Sequence, residues 1–307
     1  MPSEKPNLEP LGIENRRIFE EFLNHSPRNL SPYSFTNIFI WRKLFDIRWR
    51  IIRECLCVFF QNEQGIFMYL SPLGKSVGEE VVKECFSIMD GINQNRRFSR
   101  MENIEESEVS FFKNMGFTVS EKYPDYLYLR DDLVYLKGDR FKAQRASCNH
   151  FTKHNQYEYL AYNGQDKDAC LTLAQAWAGE RKKKVEDSFY RHLLDDNLLA
   201  QRELLAHFEG LGVMGRVIKV DGKICAYTFG YELNKNTFCI LFEVSDLNYK
   251  GISAFIFRKF CEELTVYKYI NTMDDSGLEN LKAAKLSYHP RQLVSSYIVG
   301  YAPAQMV

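Results

Sequence analysis

The spacing of apolar and polar positions divides the chain into alternating helical and extended segments. Residues 13–25, 79–89 and 106–115 repeat their apolar side chains with a helical period, and another helix is predicted to open near Ser31. Segments rich in β-branched and aromatic residues lie between them, and the predicted strands are 47–53, 55–61, 65–70, 98–104, 117–120 and 126–130. This order of elements predicts an α+β fold with a mixed sheet in the first half.

The second half repeats a similar order after a predicted long helix from Leu133 to about His154. Asp221-Gly222 is typical of a two-residue hairpin turn. The predicted helices are 167–178, 187–211 and 252–264, and the predicted strands are 157–162, 213–220, 223–231, 237–244, 267–271 and 295–300. The halves share no repeated sequence, so the similar order is consistent with a duplicated fold without proving one.

The segment between Asn271 and Arg291 contains a lysine at an unexpected position. Ser276 and Glu279 have the spacing of a capping box, which predicts a helix that begins there and stops at Pro290. Lys285 shares a helical stripe with leucines, where an apolar side chain is expected.

Two interpretations of Lys285 are open. Its stem could pack while its ammonium reaches water near the helix C-terminus, and spacing alone favours this. Alternatively, the stripe faces a ligand cleft, where Lys285, Tyr288 and His289 would meet a polar or anionic group.

Composition and charge exclude several classes of protein. Of the 307 residues, 45% are hydrophobic and 26% charged, which indicates a globular protein rather than a disordered or fibrous one. Forty basic and forty acidic residues give no net charge, so binding to nucleic acid through bulk charge is not expected. The chain has no apolar run long enough to cross a bilayer and no signal-peptide pattern near its N-terminus. These features predict a cytoplasmic protein.

The cysteines and histidines indicate neither disulfides nor a metal site. The eight cysteines form no Cys-x-x-Cys pair, and the six histidines have no metal-binding spacing. Several cysteines fall in apolar runs, so buried, reduced thiols are expected. Cys148 is a weak candidate nucleophile, because no base is fixed beside it by the sequence. No metal or other cofactor is predicted to be required.

Carboxylates at two strand ends are candidates for chemistry. Glu243 ends an apolar strand, where burial would raise its pKa toward that of a useful general base; strand alternation could equally point it outward. Asp274 and Asp275 follow the strand that closes at Asn271 and could hold a substrate ammonium. They could also satisfy the following helix N-terminus, and for Asp275 this second role is preferred.

A basic face is predicted on the long helix. Lys142, Arg145, Asn149 and Lys153 lie close together on its helical wheel, while Phe141, Cys148 and Phe151 share another face. Such a face is usually solvated, but cations beside an amide also suit phosphate or the acceptor end of a tRNA.

Two segments resemble a known family. They are DDLVYLKGDRFKAQRASCNH from Asp131 to His150 and DSGLENLKAAKLSYHP from Asp275 to Pro290. The chain is similar over nearly its whole length to bacterial proteins that contain the C-terminal domain of phosphatidylglycerol lysyltransferase. The resemblance implies two tandem acyltransferase-like domains of the GNAT type, an architecture shared with transferases that use charged tRNA.

The loop that binds pyrophosphate in GNAT enzymes departs from its usual signature here. Asn248, Gly251 and Ser253 stand where the signature has Arg or Gln, Gly, and Gly or Ala, so one of the two glycine positions is kept. Coenzyme A binding is therefore in doubt, although Lys250 beside Gly251 could neutralise a phosphate.

The resemblance and the residues together predict an acyltransferase. The expected domains are 1–132 and 156–307, both GNAT-like, joined by a basic helix over 133–155, with the site in the C-terminal domain. An aminoacyl group is expected to move from charged tRNA to an amine or hydroxyl of a lipid, peptide or small molecule. The alternatives are an acyl-CoA-dependent N-acyltransferase and a non-catalytic ligand-binding module with the same fold.

Each candidate residue has an expected role in this transfer. Glu243 or His289 is expected to handle the acceptor proton. The substrate pocket is expected to include Asn271, Asp274, Asp275, Lys285 and Tyr288. The donor phosphates are expected to contact Lys142, Arg145, Asn149, Lys250 and Gly251. The resemblance supports only the residues within the two matched segments, whereas Glu243 and Lys250 rest on local reasoning.

Overall fold

The computed structural model describes residues 7–25 and 28–302, which divide into two compact units. The first unit comprises the residues up to Asp125 and those from Val294 onward, and the second runs from Tyr126 to Leu293. The domain boundaries expected from the sequence were residues 132 and 155. The helical segment expected to link two domains lies inside the second unit, and most of the last strand lies in the first.

The first unit contains short helices and a set of mainly antiparallel strands. Its elements are β1 (Glu9–Pro10), α1 (Arg16–Leu23), α2 (Phe35–Phe39), β2 (Asp46–Ile52), β3 (Cys55–Asn62), β4 (Gly65–Met68), α3 (Glu79–Ile92), β5 (Arg100–Glu105), α4 (Glu106–Asn114) and β6 (Thr118–Leu129). Strand β6 begins in the first unit and continues into the second.

The second unit holds the longer helices. Its elements are α5 (Arg130–Tyr135), α6 (Lys142–His154), β7 (Tyr157–Ala161), α7 (Lys167–Lys183), α8 (Ser188–Ala206), α9 (Phe208–Leu211), β8 (Met214–Val220), β9 (Lys223–Asn234), β10 (Thr237–Ser245), α10 (Ile252–Glu263), β11 (Tyr269–Asn271) and α11 (Glu279–Leu286). The last strand of the chain is β12 (Gln292–Gly300).

Both units contain mixed sheets, as the sequence predicts. In the first, the strand order is β1-β2-β3-β4-β5-β12, and among its described strands only β4 and β5 are paired in parallel, at Met68 and Met101. Helix α3 packs Val82 and Phe86 into the core beside Phe59. The α+β class with mixed sheets and packed helices is confirmed.

Within the second unit the strand order is β6-β11-β10-β9-β8-β7. Its one parallel pairing among the described strands is between β10 and β11, which α10 connects. The predicted hairpin turn is confirmed: Asp221 and Gly222 both have positive φ, and Val220 pairs with Lys223.

The predicted long helix over 133–154 is wrong, because the chain breaks into α5 and α6. Leu136 adopts the left-handed conformation with φ of 47°, and Gly138 also has a positive φ of 85°. Arg145 donates hydrogen bonds to the carbonyls of both residues. This side chain therefore satisfies carbonyls that a continuous helix would have used, and the sequence pattern does not reveal that exchange.

The start predicted for the last helix is also wrong. Ser276 has φ of 50°, and α11 begins at Glu279 with Leu278 at the N-cap position. The hydroxyl of Ser276 instead donates to Asp274 Oδ1, 3.1 Å away. The helix ends at Leu286, four residues before the predicted stop at Pro290.

The burial of the thiols is confirmed, since all eight cysteines are free and buried. Burial raises the pKa of Cys148 to about 11, so its thiol stays protonated at neutral pH. Across residues 7–25 and 28–302, every helix is either too short or too polar to cross a bilayer.

Candidate functional site

Strands β10 and β11 diverge after three paired residues. Thr237–Cys239 of β10 pair with Tyr269–Asn271 of β11, but β10 continues to Ser245. Beyond Asn271 the chain follows β6 instead, with Thr272 N donating to Tyr126 O over 3.0 Å. Beyond Cys239, β10 therefore has no further pairing with β11, and its backbone groups on that side could meet a ligand.

A bulge in β10 decides which way Glu243 faces. Ile240 pairs with Gly230 and Phe242 pairs with Phe229, so Leu241 is an extra residue in the strand. The bulge shifts the alternation and brings Glu243 to the face that carries Ile240. On that face Ser245 contacts Ser253 of α10, with 2.5 Å between the hydroxyl oxygens. Glu243 therefore lies on the α10 side of the sheet.

Glu243 is partly buried, and one oxygen of its carboxyl is shielded from water. Its Oε2 atom is buried and has no hydrogen-bond partner among the described residues. Burial raises the pKa of Glu243 to about 8, and the nearby positive charge of Lys285 limits the rise. A carboxyl with this pKa can accept and release a proton close to neutral pH.

Lys285 is fixed by the backbone that leaves β11. Its Nζ donates to the carbonyl of Thr272, with weaker contacts to Thr272 Oγ1 at 3.3 Å and Met273 O at 3.4 Å. The ammonium also lies 5.6 Å from the centre of the Tyr126 ring. Lys285 thus holds the diverging segment and places a positive charge near Glu243.

We expect Lys285→Met to raise the pKa of Glu243, because the substitution removes a charge that favours the carboxylate. The rate of any Glu243-dependent activity rises with pH, and the pH at which it reaches half of its maximum should increase by about one unit. Lys285→Arg, which keeps the charge, is the matched control. An unchanged midpoint in the Met variant would show that the two groups do not interact.

Asp274, Asp275 and Asn271 organise the turn between β11 and α11. Asp275 is buried and accepts a 2.5 Å hydrogen bond from Tyr126 Oη and another from Gly277 N at 2.9 Å. Asp274 Oδ1 accepts from Ser276 N at 2.8 Å, and Asn271 Oδ1 accepts from Met273 N at 2.6 Å. Asp274 is the more exposed of the two aspartates, so it is better placed than Asp275 to meet a cation.

Tyr288 and His289 follow α11 but have different surroundings. The Tyr288 ring packs edge-on against Phe257, with 4.9 Å between ring centres. Burial raises the pKa of Tyr288, and Glu243 and Cys148 raise it further when they are ionised. The exposed His289 has its Nε2 3.2 Å from the carbonyl of Arg140. Tyr288 is thus close enough to Glu243 to interact with it electrostatically, whereas His289 contacts the backbone of Arg140.

The predicted basic face of α6 is only partly available for binding. Lys142 and Asn149 are exposed, whereas Arg145 is occupied by the carbonyls of Leu136 and Gly138. The opposite face is buried, with Phe141, Cys148 and Phe151 packed in one core cluster. The predicted division into a polar face and a packing face is confirmed.

The loop before α10 has a glycine for a steric reason. Gly251 has φ of 88°, and a Cβ atom there would lie 2.1 Å from the carbonyl oxygen of Ser147 on α6. The backbones of the two helices therefore approach closely at this point. Lys250 beside it is exposed. The packing alone accounts for Gly251, and the Ser147 carbonyl presents a partial negative charge beside the start of α10.

Two polar residues of the site were not singled out from the sequence. Thr228 is fully buried directly opposite Glu243, and its Oγ1 has no hydrogen-bond partner within the described part of the chain. Gln144 on α6 donates through Nε2 to Ser287 O at 2.8 Å, while its Oε1 is buried without a partner in the same residues. Nothing in the sequence distinguishes Thr228 from its neighbours in an apolar strand. Gln144 could have been noticed, because it interrupts the apolar face of α6.

The candidate site thus contains Glu243, Lys285 and Tyr288, together with the turn from Asn271 to Asp275. Within residues 7–25 and 28–302, no cluster of three or more His, Cys, Asp or Glu side chains has a metal-binding arrangement. The available chemistry is that of a carboxyl with a raised pKa beside the ammonium of Lys285.

Comparisons with solved structures identify similar folds. A conserved protein of unknown function from Bacteroides thetaiotaomicron is 27% identical, with a TM-score of 0.87 over 96% of this chain and 99% of that one. L-PGS from Bacillus licheniformis is 16% identical, with a TM-score of 0.68 and coverage of 99% and 96%. A tandem GNAT protein from the clavulanic acid biosynthesis pathway is 10% identical, with a TM-score of 0.52 and coverage of 97% and 99%.

The family comparison covers nearly the whole chain. No curated protein matches it. The model of the phosphatidylglycerol lysyltransferase C-terminal family matches residues 24–300, which contain both segments that carry the resemblance and all residues of the candidate site. The fold, the matched span and the two segments lead to one conclusion: the chain belongs to the phosphatidylglycerol lysyltransferase C-terminal family.

Proposed function

We propose that this protein transfers an aminoacyl group from charged tRNA to a nucleophile on a lipid, peptide or small molecule. The observation that carries the proposal is Glu243, a shielded carboxyl with a pKa of about 8 where two strands diverge, in a member of a lysyltransferase family. We further propose that the two units are tandem GNAT-like domains, because each has a helix between two parallel strands after an antiparallel meander.

The main chemical requirement of the reaction is a base for the acceptor, because the donor ester needs no further activation. The ester of an aminoacyl-tRNA is already activated, so the protein mainly has to position the reactants and remove the acceptor proton. Glu243 in its carboxylate form takes that proton. Lys285 keeps part of the Glu243 population ionised near neutral pH through its positive charge.

The turn after β11 forms one side of the proposed pocket. Asn271 and Asp275 fix its backbone through their own hydrogen bonds, and Asp274 presents a carboxylate for the ammonium of the transferred amino acid. Tyr288 closes the pocket beside Glu243. His289 contacts the carbonyl of Arg140, so we assign it to the binding of the donor tRNA rather than to removal of the acceptor proton.

The packing around Gly251 favours tRNA over coenzyme A as the donor. Pyrophosphate at the start of α10 would face the Ser147 carbonyl, which repels an anion. Lys142 and Lys250 are exposed cations, and Asn149 adds an amide on the same helix as Lys142. These three groups suit the phosphates of a tRNA acceptor end, whereas Arg145 maintains the turn that precedes them.

A cytoplasmic location fits this donor. The eight free thiols suit a reducing compartment, and charged tRNA is present in the same compartment.

The test is a transfer assay with a mixture of radiolabelled aminoacyl-tRNAs, labelled acetyl-CoA in a parallel reaction, and cell extract as the source of acceptors. Label should leave tRNA and appear in a product that survives ribonuclease. Transfer only from acetyl-CoA would instead establish the acyl-CoA-dependent reaction. If neither donor is consumed while the protein still retains a ligand from the extract, the ligand-binding module is the correct function.

We expect acetyl-CoA to leave the melting temperature unchanged at millimolar concentration. A ligand at 100 times its Kd stabilises a protein by about 2.7 kcal/mol, so specific binding would be visible as an increase. Uncharged tRNA should raise the melting temperature, and the rise should shrink at high salt because the contacts involve phosphates. Stabilisation by acetyl-CoA would contradict the donor assignment.

A further inference from the structure

The side of the β9–β10 hairpin that faces α10 carries two buried oxygen atoms without partners in the described chain. Glu243 Oε2 and Thr228 Oγ1 belong to directly paired residues, whose side chains share one face of the sheet. Ala226, two residues before Thr228, belongs to the same buried core cluster as Ile256 of α10 and Cys148 of α6. Thr228 shares this face of the sheet with Ala226, so its side chain points to the α10 side.

Helix α6 supplies a third such oxygen. Gln144 precedes Cys148 by one helical turn, so both side chains are on the same helix face. The Gln144 amide nitrogen is held by the carbonyl of Ser287, which leaves Oε1 as its unsatisfied atom. Tyr288, next to Ser287, is close enough to Glu243 and Cys148 for both to raise its pKa. These relationships place Gln144 beside the pocket that contains Glu243.

A buried polar atom without a partner is unfavourable, so three of them near one another indicate a ligand that supplies the missing partners. A carboxylate and an amide carbonyl accept hydrogen bonds only, and a hydroxyl can accept one as well. With Glu243 ionised, a ligand group that satisfies all three atoms therefore donates several hydrogen bonds. A primary ammonium has three N–H donors and a charge that Glu243 neutralises, whereas an alcohol has a single donor.

Resting on the proposed transfer, we infer that the acceptor is a primary amine, bound by Glu243, Thr228 and Gln144, and that the product is an amide. The bound ammonium gives one proton to Glu243, and the free amine then attacks the ester carbonyl of the aminoacyl-tRNA. A C–N bond forms and the C–O bond to the ribose breaks. The second amine proton goes to the ribose oxygen, so the tRNA leaves with a free hydroxyl.

The linkage in the product tests the inference without knowledge of the acceptor. Labelled product from the tRNA and extract assay is treated with neutral hydroxylamine, which cleaves esters and leaves amides intact. We expect the label to remain attached. Extract whose primary amines have been blocked by acetylation should yield no product. Release of the label, or full transfer into the blocked extract, would overturn the amine assignment while leaving the transfer itself established. Absence of any product would instead reject the transfer.

Variants test the three binding groups. Thr228→Val, which keeps the shape and removes the hydroxyl, should raise the amount of extract needed for half-maximal rate by about tenfold, and Gln144→Met should act similarly. Thr228→Ser is the matched control and should behave as the wild type. The half-saturating concentration of charged tRNA should not change in any of them. Unchanged acceptor dependence in both the Val and the Met variants would remove these residues from the acceptor site.

Discussion

Glu243→Gln is expected to lower the rate of aminoacyl transfer by about 10²–10⁴-fold, the usual contribution of a positioned general base. Glutamine has nearly the same shape but cannot take a proton from the acceptor. In the wild type, the rate should increase with pH with a midpoint of about 8, the pKa of Glu243, and level off roughly one pH unit higher. The residual rate of the variant should lack this transition. The measurement is the initial rate of transfer between pH 6 and pH 9.5 for both proteins.

The stability of the same variant provides the control. Glu243 has a pKa of about 8 in the folded protein and an ordinary value of 4.5, so between these pH values the folded state binds more protons than the unfolded state. Stability from the neutral carboxyl is therefore present below pH 4.5 and is lost as the pH rises through 8. Glutamine has no such charge to bury, so Glu243→Gln should lose less stability than the wild type over this window. A variant that is inactive because it unfolds would instead lose more stability than the wild type over this pH range. An active, pH-dependent Gln variant would exclude Glu243 as the base.

Gly251→Ala is expected to destabilise the protein by about 2–5 kcal/mol. The left-handed conformation at this residue disfavours any Cβ by roughly 1–2 kcal/mol, and overpacking against the Ser147 carbonyl adds about 1–3 kcal/mol. The carbonyl belongs to the α6 backbone and cannot rotate away as a side chain could. The cost should be measured by urea unfolding of the purified variant.

Gly222→Ala is the matched control for this clash. Gly222 has a similar φ of 74° in the β8–β9 turn, but a Cβ there would meet no atom within 4 Å among those described. Its substitution should cost only the conformational part, about 1–2 kcal/mol. Equal losses in the two variants would show that α6 and α10 do not approach as closely as described. That result would also reopen the start of α10 to pyrophosphate.

The local pattern of the sequence was enough to predict most elements and the class of fold. Period and turn chemistry depend on nearby residues, which is why the hairpin at Asp221-Gly222, the strand β10 and the packing face of α6 were predicted correctly. Two long segments also pointed to the family that the matched span establishes. Two helix boundaries were predicted wrongly where a nearby side chain replaced a hydrogen bond of the helix backbone. Arg145 at the break before α6 and Asp274 before α11 are the two cases.

The orientation and environment of the site residues were decided only by the tertiary structure. The extra residue at Leu241 turned Glu243 toward α10, and a bulge in one strand becomes visible only when its partner strand is known. Thr228 is an ordinary strand residue until its pairing with Glu243 shows two oxygens without partners. The helical spacing of Lys285 favoured an ammonium that reaches water. In the structure, the ammonium instead binds the carbonyls of Thr272 and Met273. The sequence thus determined which elements form and to which family the chain belongs, because those properties follow from local pattern and motif. The pKa values and binding capacity of the site depend on contacts between residues far apart in the chain, and only folding creates them.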